Sequence, residues 1–386
     1  MARVLGIDPG TGSFDLVVID GDYVVAEKSV STIEVAKNPN VLIEAVEELG
    51  EVDLIAGPSG YGVPLTFNSD IIEPRKFALE VLLLTREEDL AVGVKSGEVG
   101  MAVYDALAKV VEEFWMRKLK VCYIPSVILL PTVPEYRKVN KLDMGTADKM
   151  AVAILGVIDQ SRKLGISYEE TSFILVEVGF GYNAVIGVED GKIVDGLGGT
   201  LVHTGFLTAG PLDAEVAVMG REWIRSDVFH GGVADICGTY DMNEVIKGYL
   251  NNEEPHATAF RAFIDGITKA VAAVSTSVRK PKEVLLSGRF SRNEIIRKVL
   301  MEELSRLAPV RELKGLEGAK ISKEAAQGYA IVAEGVAGGQ FYSLVKYMGI
   351  LEARGTVLDW VYHPRLQEAK ERLRRVYTEV VHNPKL

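Results

Sequence analysis

The sequence predicts an α/β protein made of two similar halves, and a repeated pattern predicts it. Near the N-terminus the apolar run Val4–Ile7 ends in Asp8, the loop Pro9-Gly10-Thr11-Gly12-Ser13 follows, and a second apolar run, Phe14–Ile19, leads to the turn Asp20-Gly21. At Ser172–Asn183 the scheme returns: an apolar run, the acid Glu177, the loop Gly179-Phe180-Gly181, then Ala184–Val188 and the turn Asp190-Gly191. Asp8 and Gly21 lie 13 residues apart, Glu177 and Gly191 14, and the two acids 169. That spacing points to a duplicated domain, a chance likeness of two hairpins being the alternative.

Each loop reads as a place for an anion. Gly10 and Gly12 can take positive φ and leave no side chain in the way. Successive N–H groups with the Thr11 and Ser13 hydroxyls would cradle phosphate oxygens, and Asp8 at the strand end is placed to hold Mg²⁺ through water. Gly179, Gly181 and Asn183 are the corresponding residues of the second half, with Glu177 as its acid. The plainer reading of either loop is a surface hairpin.

The composition sets bounds. A chain of 386 residues is long enough for two cores, and 48% hydrophobic with 25% charged residues is ordinary for a globular protein. A net charge of −11 disfavours nucleic acid or an anionic membrane as the main partner. Two widely separated cysteines, Cys122 and Cys237, form no metal-ligand spacing and fit a reducing compartment. The N-terminus runs straight into a strand, too early for a signal peptide, and the most apolar stretch, Val121–Val133, is broken by Pro125 and Pro131. A cytoplasmic location is expected. Sparse Gln beside abundant Glu, Lys and Arg accords with a thermophilic source.

Along the chain, Pro39–Leu49 has helical periodicity, and Glu51–Ala56 reads as a strand running into the Gly-rich loop Gly57–Gly62. Ser59 and Gly60 therefore stand where α/β sheets place ligands, unless the loop is a plain βα connection. A helix is expected over Glu98–Lys118 and a buried strand over Cys122–Ile128. The helix Met150–Lys163 follows Asp143, Thr146 and Asp148; Asp143 or Thr146 would cap it and Asp148 would favour its dipole, or one of the two acids faces a cleft as acid or base. Gly196–Phe206 is too long and apolar for an idle turn, which makes Gly199, Thr200 and His203 pocket-lining candidates. Helices are expected at Leu212–Arg225, Asp241–Tyr249 and Ala257–Val278. The strand at Lys282–Ser287 ends in Gly288-Arg289, where a helix start can receive a nucleotide. Lys323–Glu334 is an Ala/Gly-rich helix able to pack closely on another. Arg365–Val380 is a charged helix for packing or dimerisation.

This ordered set resembles the actin/sugar-kinase superfamily of two-domain ATPases, and within it the acetate and butyrate kinase branch, over roughly residues 3–340. Ile55–Leu65, Ile124–Tyr136, Arg137–Lys141 and Gly187–Leu212 are similar to stretches of butyrate kinases, and the chain resembles an archaeal relative of them. The resemblance implies two duplicated ribonuclease-H-like (actin-like ATPase) domains, 1–155 rejoined by helices of 335–386, and 156–334, with a nucleotide cleft between them. It further implies ATP with Mg²⁺, bound through Asp8, Glu177 and the two loops, with Ser287, Gly288 and Arg289 toward the nucleotide. The implied activity is phosphoryl transfer to a short carboxylate, with Arg137, Arg75 or Arg289 as the cation that joins two anions. With a hydroxyl acceptor, Asp143 or Asp148 becomes the base; a regulatory nucleotide-binding protein is the further alternative. Three positions depart from the branch: Asp8 stands where butyrate kinases have Asn, Phe180 interrupts the second glycine loop, and Arg289 replaces a glycine.

Overall fold

Short runs rich in apolar residues form the antiparallel meander β1 (Arg3–Pro9), β2 (Ser13–Asp20) and β3 (Tyr23–Ser31), β1 and β2 being buried almost throughout. The β1–β2 register sets Asp8 opposite Asp15 and Pro9 opposite Phe14. The computed structural model describes residues 2–95 and 99–386. After α1 (Asn40–Glu48), β4 (Leu54–Ala56) joins β1 in parallel, followed by β5 (Thr66–Phe67), α2 (Val99–Met116) and β6 (Val121–Tyr123). The six strands lie in the order β3-β2-β1-β4-β6-β5. β4 and β6 are apolar and buried throughout, as expected of parallel strands covered on both faces. The long helix α3 (Ala147–Leu164) ends at Gly165, whose φ of 64° closes it in the left-handed conformation.

The second sheet contains β7 (Phe173–Val178), β8 (Asn183–Glu189), β9 (Lys192–Leu197), β10 (Glu283–Ser287) and β11 (Val310–Glu312), with α4 (His256–Ser275) and α5 (Glu294–Leu304) around it. Its order, β9-β8-β7-β10-β11, repeats the β3-β2-β1-β4-β6 arrangement of the first, with an antiparallel hairpin followed by parallel strands. The chain then returns to the first unit through α6 (Glu324–Val336) and α7 (Gln367–Val380).

The small residues of α6 have the consequence expected of them. A Cβ on Gly6 of β1 would stand 2.2 Å from the Ala326 carbonyl oxygen, and one on Gly328 would stand 1.9 Å from that of Ala151 in α3. Sheet, α6 and α3 are therefore in backbone contact. Helix α7 buries Leu373, Val376, Tyr377 and Val380, while Arg372 pairs with Glu80 at 2.7 Å, so it packs within the first unit.

The two units are Met1–Thr171 with Asp190–Ile193 and Lys314–Leu386, and Ser172–Glu189 with Val194–Leu313. The expected 155/156 boundary falls inside α3, and the return begins at Lys314 rather than 335. Other differences are local. The strand expected through Ile128 stops at Tyr123, and after Pro125 the chain makes a 3₁₀ turn at Val127–Leu129. The helix expected at Leu212–Arg225 covers Ala214–Gly220, ended by Arg221 at φ 60°. Of the helix expected from Glu98, the structure shows Val99–Met116, and Glu98 lies outside the described residues.

Candidate functional site

Asp8 lies at the end of β1 with 4% of its surface exposed, beside Asp15 at 1%. Burial pushes the Asp8 carboxyl up to about 7; the Lys323 ammonium opposes the rise, and the charges of Asp148 and Asp15 add to it. Lys323 Nζ is 3.8 Å from Asp8 Oδ2 and 3.2 Å from Asp15 Oδ2, and it donates to the Ser13 carbonyl at 3.1 Å. Ser29 Oγ donates to the other oxygen of Asp15 at 2.5 Å. This is a buried group of acids bridged by one lysine.

The first glycine loop is fixed from below. Thr32 donates its hydroxyl to the Gly10 carbonyl at 2.7 Å and its N–H to that of Gly12 at 3.3 Å. The freedom expected of Gly10 and Gly12 is not used: neither has positive φ. Gly10 is needed for space instead, since a Cβ there would stand 2.6 Å from Lys323 Nζ and 2.9 Å from the Ser13 oxygen. Thr11 is exposed at the loop tip and Ser13 half-buried.

Asp148, in the first turn of α3, ion-pairs with Lys149 and accepts the Thr146 hydroxyl. Burial raises its carboxyl, but the Lys149 charge and these hydrogen bonds outweigh it and hold the group below the usual carboxylate range. Thr146 occupies the cap position of α3 without a side-chain capping bond, its hydroxyl being turned to Asp148. Asp143 accepts the Gly145 N–H at 3.0 Å and so shapes the turn before the helix rather than capping it. The buried Tyr329 of α6 feels both Asp8 and Asp148, and with desolvation as the main cause its phenol is held protonated.

The Gly57–Gly62 loop is drawn into this frame. Ser59 is fully buried; its hydroxyl donates to the Gly57 carbonyl at 2.8 Å and accepts the Ile124 N–H at 2.9 Å. Gly60 has φ 52° and its carbonyl accepts the Ala147 N–H, tying the loop to the start of α3. Arg137 lies 5.5 Å over the Tyr136 ring. Arg75 is held by Glu87, Asp105 and Glu112 at 2.7, 3.1 and 3.4 Å, a structural network.

In the second unit, Glu177 and Val178 close β7, and the Gly179 N–H donates to the Tyr182 carbonyl at 3.0 Å. Gly179 and Gly181 also avoid positive φ. The loop is packed by its neighbours: a Cβ on Gly199 would meet the Tyr182 ring at 2.4 Å, and one on Gly205 the Gly181 carbonyl at 2.9 Å. Gly288, at φ 90°, sits on the Val178 backbone, where a Cβ would be 2.7 Å from its oxygen. Ser287 is buried, and Asn183 is buried with its amide 3.5 Å from the Thr204 oxygen. Thr200 is half-buried; His203 is exposed, 3.3 Å from the Thr204 hydroxyl.

The two unusual residues of these loops are partners. Phe180 turns into the core against Phe206 and Phe290, at 5.3 and 5.9 Å between ring centroids, and the Arg289 guanidinium lies 5.6 Å over its ring. One unit thus gathers Asp8, Gly10, Ser13 and Asp148, and the other the loops at Gly179, Gly199 and Ser287–Arg289. Sequence reasoning missed Asp15, Lys149, Lys323 and Tyr329. Only the expected hairpin, whose antiparallel register sets a residue of the second strand opposite Asp8, offered a signal, and that for Asp15 alone.

The geometry defines a protein of two α/β units sharing one strand order, with a buried acid at the end of the first strand of one unit and its counterpart in the other. Over residues 6–363 the chain matches the family described as protein of unknown function (DUF1464), and it belongs to that family. No curated protein matches it. Among solved structures it is similar in fold to a propionate kinase from Francisella tularensis subsp. tularensis SCHU S4, at 14% identity and TM-score 0.55 over 86% of this chain and 98% of that one. It is likewise similar to acetate kinase of Porphyromonas gingivalis (15%, TM-score 0.54, 86% and 98%) and of Entamoeba histolytica (12%, TM-score 0.51, 79% and 87%). Among the described residues no helix is long and apolar enough to cross a membrane.

Proposed function

We propose that the protein is an ATP-dependent phosphotransferase whose acceptor is a short-chain carboxylate. The observation that carries the phosphotransferase reading, whatever the acceptor, is the buried Asp8 beside the Gly10–Ser13 loop, with its carboxyl raised to about 7 by burial and by neighbouring acids. An acid kept from water in this way gains most from a bound cation. Asp8 offers one buried carboxylate at a strand end beside a glycine loop. That suits Mg²⁺, which keeps several waters and takes one or two carboxylates together with phosphate oxygens. When bound, Mg²⁺ neutralises charge on the transferring phosphoryl group. Asp8 would hold it, and Glu177 is proposed as the matching acid of the second unit. Gly10, Thr11, Gly12 and Ser13 are proposed phosphate ligands. Gly179, Gly181, Asn183, Ser287, Gly288 and Arg289 are the second unit's proposed nucleotide residues.

The state of Asp148 supports the carboxylate acceptor. Its carboxylate is held ionised by Lys149 and Thr146, a poor disposition for taking a proton, and an acceptor already ionised needs no base. A hydroxyl acceptor is favoured by one observation, the Asp8 carboxyl near 7, which matches a general base at neutral pH. The similarity to acetate and propionate kinases supports the first reading at the level of fold. The test is a thermal melt with and without Mg·ATP, then acetate, propionate and butyrate as acceptors with hydroxylamine trapping of acyl phosphate. Stabilisation by Mg·ATP that Asp8→Ala removes, with trapped acyl phosphate, is the expected result. Phosphorylated sugar without acyl phosphate would establish the second reading, and no binding at millimolar Mg·ATP would end both.

A further inference from the structure

We infer that Lys323 is a phosphate ligand of this site, the ammonium that receives the terminal phosphoryl oxygens of the nucleotide; this rests on the phosphotransferase reading. Lys323 immediately precedes α6, and three contacts deliver it to the loop. Gly6 and Gly328 bring α6 into backbone contact with β1 and α3. Glu27 accepts the N–H groups of Lys320, Ile321 and Ser322 at 2.8, 2.9 and 3.1 Å, which fixes the chain just before the lysine. The ammonium itself rests on the Ser13 carbonyl and against Gly10, the residue whose missing side chain makes room for it.

Asp8, Asp15 and Asp148 face Lys323 and Lys149, which leaves the cluster one negative charge in excess when all are ionised. Phosphate approaches such a place only where a cation is already presented to it. Asp8 and Asp15 are buried, whereas Lys323 keeps 22% of its side chain exposed; Asp148, at 23%, is already paired with Lys149, so Lys323 is the cation a solute meets beside the loop. Of its three N–H donors, one makes a hydrogen bond among the described residues, the one to Ser13. Asp8 at 3.8 Å is beyond hydrogen-bond distance, and Asp15 at 3.2 Å contributes chiefly charge. The long stem lets the ammonium move from Asp15 onto a phosphate oxygen with no change in the helix. The loop thus has a cation of its own beside any metal held by Asp8.

The experiment compares Mg·ATP and adenosine binding by calorimetry in the wild type, Lys323→Met and Lys323→Arg. Lys323→Met is expected to weaken Mg·ATP roughly ten- to a hundredfold, the size of a charge-assisted bond, and to leave adenosine unchanged. Lys323→Arg should restore most of the loss. Lower melting temperature with an unchanged ATP-to-adenosine ratio would make Lys323 a structural partner of Asp15 and overturn the inference, with the phosphotransferase reading intact. A wild type that binds no Mg·ATP would overturn both. If Lys323→Met fails to fold, Asp15→Asn decides: it frees the ammonium from its strongest rival, and tighter Mg·ATP supports the inference, whereas unchanged affinity refutes it.

Discussion

Replacing Asp8 by Asn should make the protein more stable at neutral pH while abolishing Mg·ATP binding. A carboxyl that titrates about 7 in the folded chain rather than at 3.8 carries a folding penalty. Between those two values the native state holds a proton that the unfolded chain has released. Stability therefore falls as pH rises through roughly pH 4 to 7, and the full penalty stands above that window. At 1.36 kcal/mol per pH unit the penalty is at most about 4 kcal/mol, with Lys323 already counted against it. The amide removes the titration and keeps the shape. Melting curves of wild type and Asp8→Asn from pH 4 to 8.5 would converge at the acid end and separate by several degrees at the alkaline end, the variant being higher. Taking the difference between the two proteins cancels the remaining acids, Asp148 among them, whose depressed carboxyl acts in the opposite direction and at lower pH. Parallel curves, or a wild type that gains on the variant as pH rises, would refute the reasoning.

Gly10→Ala should cost about 1–3 kcal/mol, because the flexible Lys323 can withdraw from a Cβ 2.6 Å away but the Ser13 carbonyl at 2.9 Å must shift with its backbone; Mg·ATP affinity should fall about tenfold, read by titration. Gly328→Val meets the Ala151 backbone at 1.9 Å and has no such escape, so urea unfolding should show a loss of about 3 kcal/mol or more. Cys122 is fully buried, with its thiol pushed up to about 12 by desolvation, and should resist iodoacetamide in the native protein. Cys237, half-buried and raised by burial and then by Glu244, should label slowly, and both should label in urea by mass spectrometry.

Much of the fold was legible because its signals are local. The run Val4–Ile7, the turn glycines Gly21 (φ 63°) and Gly191 (φ 69°), and the small-residue face of α6 each follow from side-chain size and backbone freedom within a few residues. The loops were legible in outline and misjudged in mechanism. Gly10 and Gly179 serve as gaps for a neighbour, a lysine end in one case and the Tyr182 carbonyl in the other, and neither uses the left-handed conformation. Phe180, which along the chain interrupts a glycine loop, is drawn off into the core by Phe206 and Phe290 and covered by Arg289. Those partners lie 26 to 110 positions away, beyond any local pattern.

The sequence alone determined the duplicated α/β plan, the strand-end acids Asp8 and Glu177, and the glycine loops that follow them, since each depends on periodicity and turn chemistry read over a dozen residues. Tertiary structure decided the charge of the site. Asp15 was a strand residue, Lys323 a helix start and Asp148 one of two candidate acids until β1, α3 and α6 closed on one another through Gly6 and Gly328. Coulomb interactions fall with distance in space and are strengthened by exclusion of water. Neither quantity exists along the chain, so the Asp8 carboxyl near 7 and the lysine that faces it emerge only in the folded protein.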